Sequence, residues 1–312
     1  MLFNHLPANE NKKPYEKRED LFMSIVETAK NLIKSMRPKQ WVKNCFVFAG
    51  LIFSKSFFQL ELILRTIYCF AFFSMVSGVV YIINDIIDAD KDALHPVKCK
   101  RPIAAGRLGS SQALVFSLIL LVASLTMALI FDIKLFIILL VYFLLILSYS
   151  LALKNIVILD VIVLSAGFVL RTVAGATVID VWISPWLILC TTLLALFLAL
   201  NKRKSELHVM ADKAGEHRKN LEQYTPGLID NMLSVITSTT VMSYSLYTFS
   251  TGKSGYMMLT IPFVLYGIFR YQYLVSSKDM GGSPEVTLFK DKPLLINIVL
   301  WIVASAVIVN FF

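Results

Sequence analysis

The 312 residues are 57% hydrophobic and only 16% charged, with a mean hydropathy of +0.69. A soluble globular domain carries more charge and no repeated apolar runs of this length, so the chain is read as a polytopic membrane protein. Its formal charge of +9 sits in short connections between apolar runs, which points to membrane orientation and excludes nucleic acid as the expected partner.

Residues 1–20 are polar and charged, with no apolar h-region, so they are expected to be disordered and not a cleaved signal. Over 21–36 the apolar residues Phe22, Ile25, Val26, Ala29, Leu32, Ile33 and Met36 recur at helical spacing. Glu27, Lys30, Asn31 and Lys34 take the other face, which predicts an amphipathic helix lying in the membrane interface. Spans follow at about 41–54, 66–83, 112–131, 133–153, 156–178, 182–200, 229–250, 255–275 and 294–312. The first is short and crosses only if tilted. The expectation is an all-α, nine-helix transmembrane bundle over 21–312 with no soluble domain inserted.

Of the 30 Lys and Arg, 24 fall in one alternate set of connections: the N-terminal region to Lys43, 84–111, Lys154, 201–228 and 276–293. The opposite set holds Lys55, Arg65, Lys134 and Lys253. The rich set is therefore expected in the cytoplasm, with the N-terminus on the cytoplasmic side of the inner membrane and the C-terminus on the other. The four cysteines, Cys45, Cys69, Cys99 and Cys190, are scattered and suggest neither a disulfide framework nor a zinc site.

The stretch with most chemistry follows the charge-free run 66–83. In Tyr81-Ile-Ile-Asn84-Asp85-Ile-Ile-Asp88-Ala-Asp90-Lys-Asp92, the side chains of Asn84, Asp85, Asp88 and Asp92 fall within about 100° of one another on a helix, while Asp90 points away. Three carboxylates and an amide crowded together repel unless a cation joins them. As hard oxygen donors they suit Mg²⁺ bound together with substrate phosphates. Lys98, Lys100 and Arg101 follow closely and suit the anionic end of such a substrate. The blander reading is a solvated acidic helix end and an anchoring basic loop.

Arg171 lies within an apolar span and should face a polar cavity or an ion-pair partner, since a charge at mid-membrane costs about 2.5–3.5 kcal/mol. Lys202-Arg203-Lys204 closes the sixth run, with Glu206, Lys213, His217, Arg218 and Lys219 beyond it. Arg37-Pro-Lys-Gln-Trp-Val-Lys43-Asn44, Tyr149 and Lys154 lie at other ends on the same side. Each is compatible with an orientation signal or a second anion site. The Ser/Thr-rich run 234–251 is read as helix packing, and His95 as structural. No Ser/His/Asp set, Gly-rich phosphate loop or intramembrane carboxylate relay is present in the sequence.

These residues together resemble the UbiA superfamily of intramembrane prenyltransferases, and more closely its decaprenyl-phosphate phosphoribosyltransferase branch. The resemblance is carried by 37–44, Asn84-Asp85-x-x-Asp88, Lys100-Arg-Pro-Ile-Ala-Ala-Gly106, Gly167-Phe-Val-Leu-Arg171 and Lys202-Arg-Lys204. It implies nine helices around a lipid-accessible cavity. It also implies transfer of 5-phosphoribose from phosphoribosyl pyrophosphate to a polyprenyl phosphate lipid. The wider superfamily carries a second Asp motif after the sixth helix. Here that place reads Asn201-Lys-Arg-Lys-Ser-Glu206, which suits separated phosphate groups better than a second metal cluster.

On this resemblance Asn84 and Asp88 hold Mg²⁺, with Asp85, Asp88 and Asp92 the catalytic acids. Lys98, Lys100 and Arg101 hold the diphosphate, and Lys43 and Tyr81 orient the donor. Tyr149, Lys154, Arg171, Lys202 and Arg203 are candidates for the 5-phosphate and the lipid phosphate. Two alternatives stay open: prenyl transfer from a prenyl diphosphate to an aromatic or other acceptor, and a non-catalytic lipid-binding or transport protein.

Overall fold

The computed structural model describes residues 14–54, 57–211, 223–250, 255–278 and 280–311. Every regular element among them is helical. Of the polar stretch 1–20, residues 1–13 lie outside the described residues and 14–20 begin helix α1, Pro14–Ser35. A 3-10 segment, Pro38–Phe48, and the short α2, Ala49–Ile52, follow. Then come α3 (Leu60–Ile87), α4 (Ala89–Leu94), α5 (Ser110–Phe131), α6 (Ile133–Leu151), α7 (Leu159–Val178) and α8 (Pro185–Ala211). The chain continues with α9 (Pro226–Ser250), α10 (Ile261–Lys278), α11 (Pro284–Lys290) and α12 (Lys292–Phe311).

Seven helical stretches among the described residues are long and apolar enough to cross a membrane, namely 60–87, 110–131, 133–151, 159–178, 185–207, 255–278 and 292–311. The chain is thus a multi-pass membrane protein. Two of the nine expected crossings differ. The first is an 11-residue 3-10 segment followed by four α-helical residues. Helix α9 has 25 residues, but serines and threonines such as Ser234, Thr237, Ser238, Thr239 and Thr240 dilute its apolar surface.

Helix α5 packs small side chains inward and large ones outward, as expected where lipid is the solvent. On α5 the buried residues are Ala113, Ser117, Ser124 and Ala128, one face of the helix, while Ile119, Val122 and Ile130 are exposed. That small-residue face lets α5 lie close to the central α3, and α7 and α8 pack together on the other side. Asp132 starts α6 by accepting the backbone N–H groups of Lys134 and Leu135 at 2.6 and 3.2 Å, a side-chain cap for donors that the first turn leaves free. Helix α1 exposes Ile25, Val26 and Ile33 and buries Asn31 and Ser35, and Met36 just beyond its end is buried too. Asn31, expected on the polar outer face, instead faces the protein.

Helix α7 is the element against which the 3-10 segment is fixed. A Cβ on Gly175 would lie 1.8 Å from the Val47 carbonyl oxygen, so only glycine lets the two backbones meet. This contact sets the height of residues 43–47 beside α3 and α7.

Candidate functional site

Asp88 both ends α3 and starts α4, so the acidic turn stands at the rim of the bundle. The carboxylates do not converge on one point. Asp85, 2% exposed, accepts Arg101 Nη1 at 3.0 Å and a short bond from Arg37. Arg101 also donates to Asp92, whose other oxygen lies 3.8 Å from Lys98 Nζ. Arg37 reaches inward because its backbone is left-handed (φ 53°), and its guanidinium lies over the Tyr81 ring at 5.0 Å.

Asn84 and Asp88 form the second pair. Asn84 Nδ2 donates to Asp88 Oδ2 at 3.0 Å, and Lys154 Nζ, from the α6–α7 junction, lies 3.3 and 3.4 Å from the two carboxylate oxygens. The expected single cluster of four oxygen donors is therefore divided. Arginines from two other segments neutralise Asp85 and Asp92, while Asp88, paired with Lys154 but 23% exposed, and Asn84 keep their oxygens nearer the surface. Among the described residues no group of three or more His, Cys, Asp or Glu is arranged to hold a metal ion. An amide oxygen and one carboxylate are nevertheless the modest protein share that Mg²⁺ takes when phosphates and water complete its shell.

The loop after α4 is closed by His95, whose Nδ1 accepts the N–H groups of Val97 and Lys98 at 3.1 and 3.3 Å. Lys100 is exposed, and its carbonyl accepts Arg107 Nη2 at 2.6 Å.

Lys43 projects from the 3-10 segment. It donates to Gln40 Oε1 and lies 3.5 Å from Glu285 Oε2, while Gln40 Nε2 donates to Glu285 Oε1. Glu285, from α11, is 5% exposed. Arg37 and Arg171 both repel the Lys43 ammonium, and Lys43 in turn repels Lys202 at the end of α8. Four cations from three segments of the chain thus act on one another electrostatically.

Arg171 is buried and bonded only to neutral groups: Asn44 Oδ1, the Gly167 carbonyl and Tyr142 Oη, all at 2.7 Å. The rings of Tyr142, Phe168 and Phe73 surround it at 4.7, 5.4 and 5.8 Å. No carboxylate among the described residues is ion-paired to it, so its charge stays available at a distance, through cation–π support and not neutralisation.

The end of α8 differs from the expectation of a basic phosphate site. Arg203 is 1% exposed. It donates through Nε to Asp160 Oδ2 at 2.8 Å, to Glu206, and to Tyr149 Oη at 3.3 Å. Tyr224 donates to Asp160 Oδ1 at 2.7 Å and accepts the Ile158 N–H at 2.8 Å. That last bond holds Ile158 at φ 68°, a conformation a β-branched residue avoids unless its surroundings impose it. Arg203 and Tyr149, expected to hold phosphate, are used in locking α6, α7, α8 and the start of α9. Lys202 lies 3.8 Å from Glu206, and Lys204 lies 2.8 Å from Asp230. Lys213, His217, Arg218 and Lys219 lie outside the described residues.

At the far corner, two hydrogen bonds from Arg270 to Asp291 (3.1 and 2.8 Å) hold that carboxyl below its ordinary range. Asp291 also caps α12 through the Leu294 N–H at 2.9 Å. The residues that sequence reasoning did not assign are Arg37, Gln40, Asn44, Tyr142, Asp160, Tyr224 and Glu285. Of these, the 37–44 group carried a signal, its charge and Trp at a membrane border, and Asp160 another, a carboxylate within the apolar span 156–178 on nearly the face of Arg171.

The UbiA prenyltransferase family model matches residues 45–290. The decaprenyl-phosphate phosphoribosyltransferase of Mycolicibacterium smegmatis is 31% identical over 287 residues, covering 87% of this chain and 90% of that protein. The enzyme of the same name from Corynebacterium glutamicum is 31% identical, over 88% and 85%. Among solved structures, a UbiA homolog from Archaeoglobus fulgidus bound to GPP and Mg²⁺ aligns with a TM-score of 0.69 at 18% identity, covering 90% of this chain and 99% of that one. The apo UbiA homolog from Aeropyrum pernix K1 aligns at 0.62 and 16%, over 87% and 98%.

Proposed function

The chain belongs to the UbiA prenyltransferase family, and we propose that it transfers 5-phosphoribose from phosphoribosyl pyrophosphate to a polyprenyl phosphate, with its charged rim in the cytoplasm. The observation that carries this reading is the contrast between the two rims. The end of α3 offers Asn84 and Asp88 as oxygen donors. The corresponding end of α8 presents Lys202 and Lys204 at its rim, beside Glu206 and Asp230, and its buried acid Asp160 is taken by Arg203. One metal position facing cations suits a donor with a diphosphate at one end and a lone phosphate at the other. A prenyl diphosphate has no second anionic end to satisfy.

Mg²⁺ bound through Asn84 and Asp88 would neutralise charge growing on the departing diphosphate. Lys154, beside Asp88, and Lys98 and Arg101, on the following loop, add charge-assisted hydrogen bonds to the same oxygens as they leave. Lys43 and Tyr81 face the donor from the 3-10 segment and α3. Arg171 supplies a fixed positive potential deeper in the bundle, and Lys202 is the candidate for the second phosphate. The bond from the anomeric carbon to the diphosphate breaks, and a lipid phosphate oxygen forms the new bond. That oxygen is already anionic, so no base is required to prepare it.

The test is turnover by the purified protein with Mg²⁺, phosphoribosyl pyrophosphate and a polyprenyl phosphate. Pyrophosphate and phosphoribosylated lipid are expected in equal amounts. Prenyl transfer from a prenyl diphosphate, with no consumption of phosphoribosyl pyrophosphate, would overturn the assignment.

A further inference from the structure

Glu285 is a buried carboxylate that the proposed chemistry does not use. It sits on α11, far along the chain from the acidic turn, yet it touches the 3-10 segment that carries Lys43. Gln40 satisfies its Oε1. Its Oε2 is buried, accepts no hydrogen bond, and lies 3.5 Å from the Lys43 ammonium. A buried carboxylate oxygen held at ion-pair distance without a hydrogen bond is poorly satisfied. Lys43 meanwhile keeps 28% of its side chain open and is repelled by Arg37 and Arg171.

We propose that Glu285 is a resident counterion for Lys43, a stand-in for a phosphate group that the diphosphate donor displaces. With no anion present, the carboxylate offsets the repulsion within the Arg37–Lys43–Arg171 group and holds the ammonium in place. Gln40, bonded to both partners, keeps the pair in register. When a phosphate oxygen arrives, Lys43 exchanges a strained partner for a better one, and Glu285 opposes the bound anion. Retention of pyrophosphate after transfer is weakened by the same opposition. The inference rests on the proposed diphosphate site but not on which group the donor carries.

The sign of the effect separates this role from a structural one, because damage to a site does not tighten binding. Calorimetric titration of the full chain in lipid nanodiscs with magnesium and pyrophosphate is the measurement. Glu285→Gln is expected to tighten pyrophosphate binding roughly five- to tenfold, as removal of a nearby like charge should. Glu285→Asp, which withdraws the carboxylate by one methylene, is expected to tighten it less. On a Lys43→Met background the gain should shrink, because only the direct repulsion of the anion by Glu285 remains to be removed. Weaker or unchanged binding in Glu285→Gln overturns the proposal, and so does an equal gain without Lys43. If Glu285→Gln does not fold, the direction of the Glu285→Asp change decides in the same way. Pyrophosphate binding without turnover of phosphoribosyl pyrophosphate would sink the phosphoribosyl reading and leave this one tested. A wild-type chain that binds no pyrophosphate overturns both.

Discussion

The ends of α3 and α8 are both rich in charge, and they use it in opposite ways. At α3 the ion pairs are shared among Arg37, Arg101, Lys98 and Lys154, whose side chains are 16–45% exposed. At α8 the Arg203–Asp160 pair is 1% and 0% exposed and closed by two tyrosines. Pairs whose cations keep access to water exchange partners more readily than pairs closed on both sides, although Asp85 and Asp92 are themselves buried. A closed pair loses several kcal/mol when either member is removed, because the other is left buried and alone. The first region can therefore receive a ligand, whereas the second holds helices together.

Activity and stability should separate accordingly. Asp88→Ala is expected to lower turnover by roughly two to three orders of magnitude while thermal unfolding in detergent changes little. A variant with full turnover would show that the α3 end is not the metal position. Arg203→Met should do the reverse, destabilising the fold by about 3–5 kcal/mol. Replacing Asp160 by Leu as well should restore much of that loss, and a double variant as unstable as the single one would break the contrast.

The smallest expected effect concerns Asp291, an edge pair outside both regions. Its carboxyl is held below the ordinary range by Arg270, so its contribution is complete above that range and fades as pH falls through the lowered value. The gap in melting temperature between wild type and Asp291→Asn should be full near pH 6 and shrink below about pH 4. A gap independent of pH would show that Asp291 acts only through its shape.

The spans were legible in the sequence because an apolar run is a local property. The acidic turn was legible for the same reason: Asn84, Asp85, Asp88 and Asp92 share a helical face. What periodicity cannot reveal is who arrives from elsewhere. Arg37 meets Asp85 across 48 residues, and Gln40 meets Glu285 across 245. Those contacts divided the acids into pairs and made a carboxylate of the 276–293 connection part of the site. The Lys202-Arg-Lys204 run shows the same limit, since three adjacent cations end in two different environments. Arg203 points into the bundle, while Lys202 and Lys204 stay at its rim.

The bare flank of α7 at Gly175 works as a depth gauge. Because the Val47 carbonyl nests where a methyl group would otherwise stand, the stretch carrying Lys43 and Asn44 sits as low as two polypeptide chains can be pressed. Gly175→Ala would act as a shim, lifting the ammonium away from the facing carboxylate without altering any charged residue.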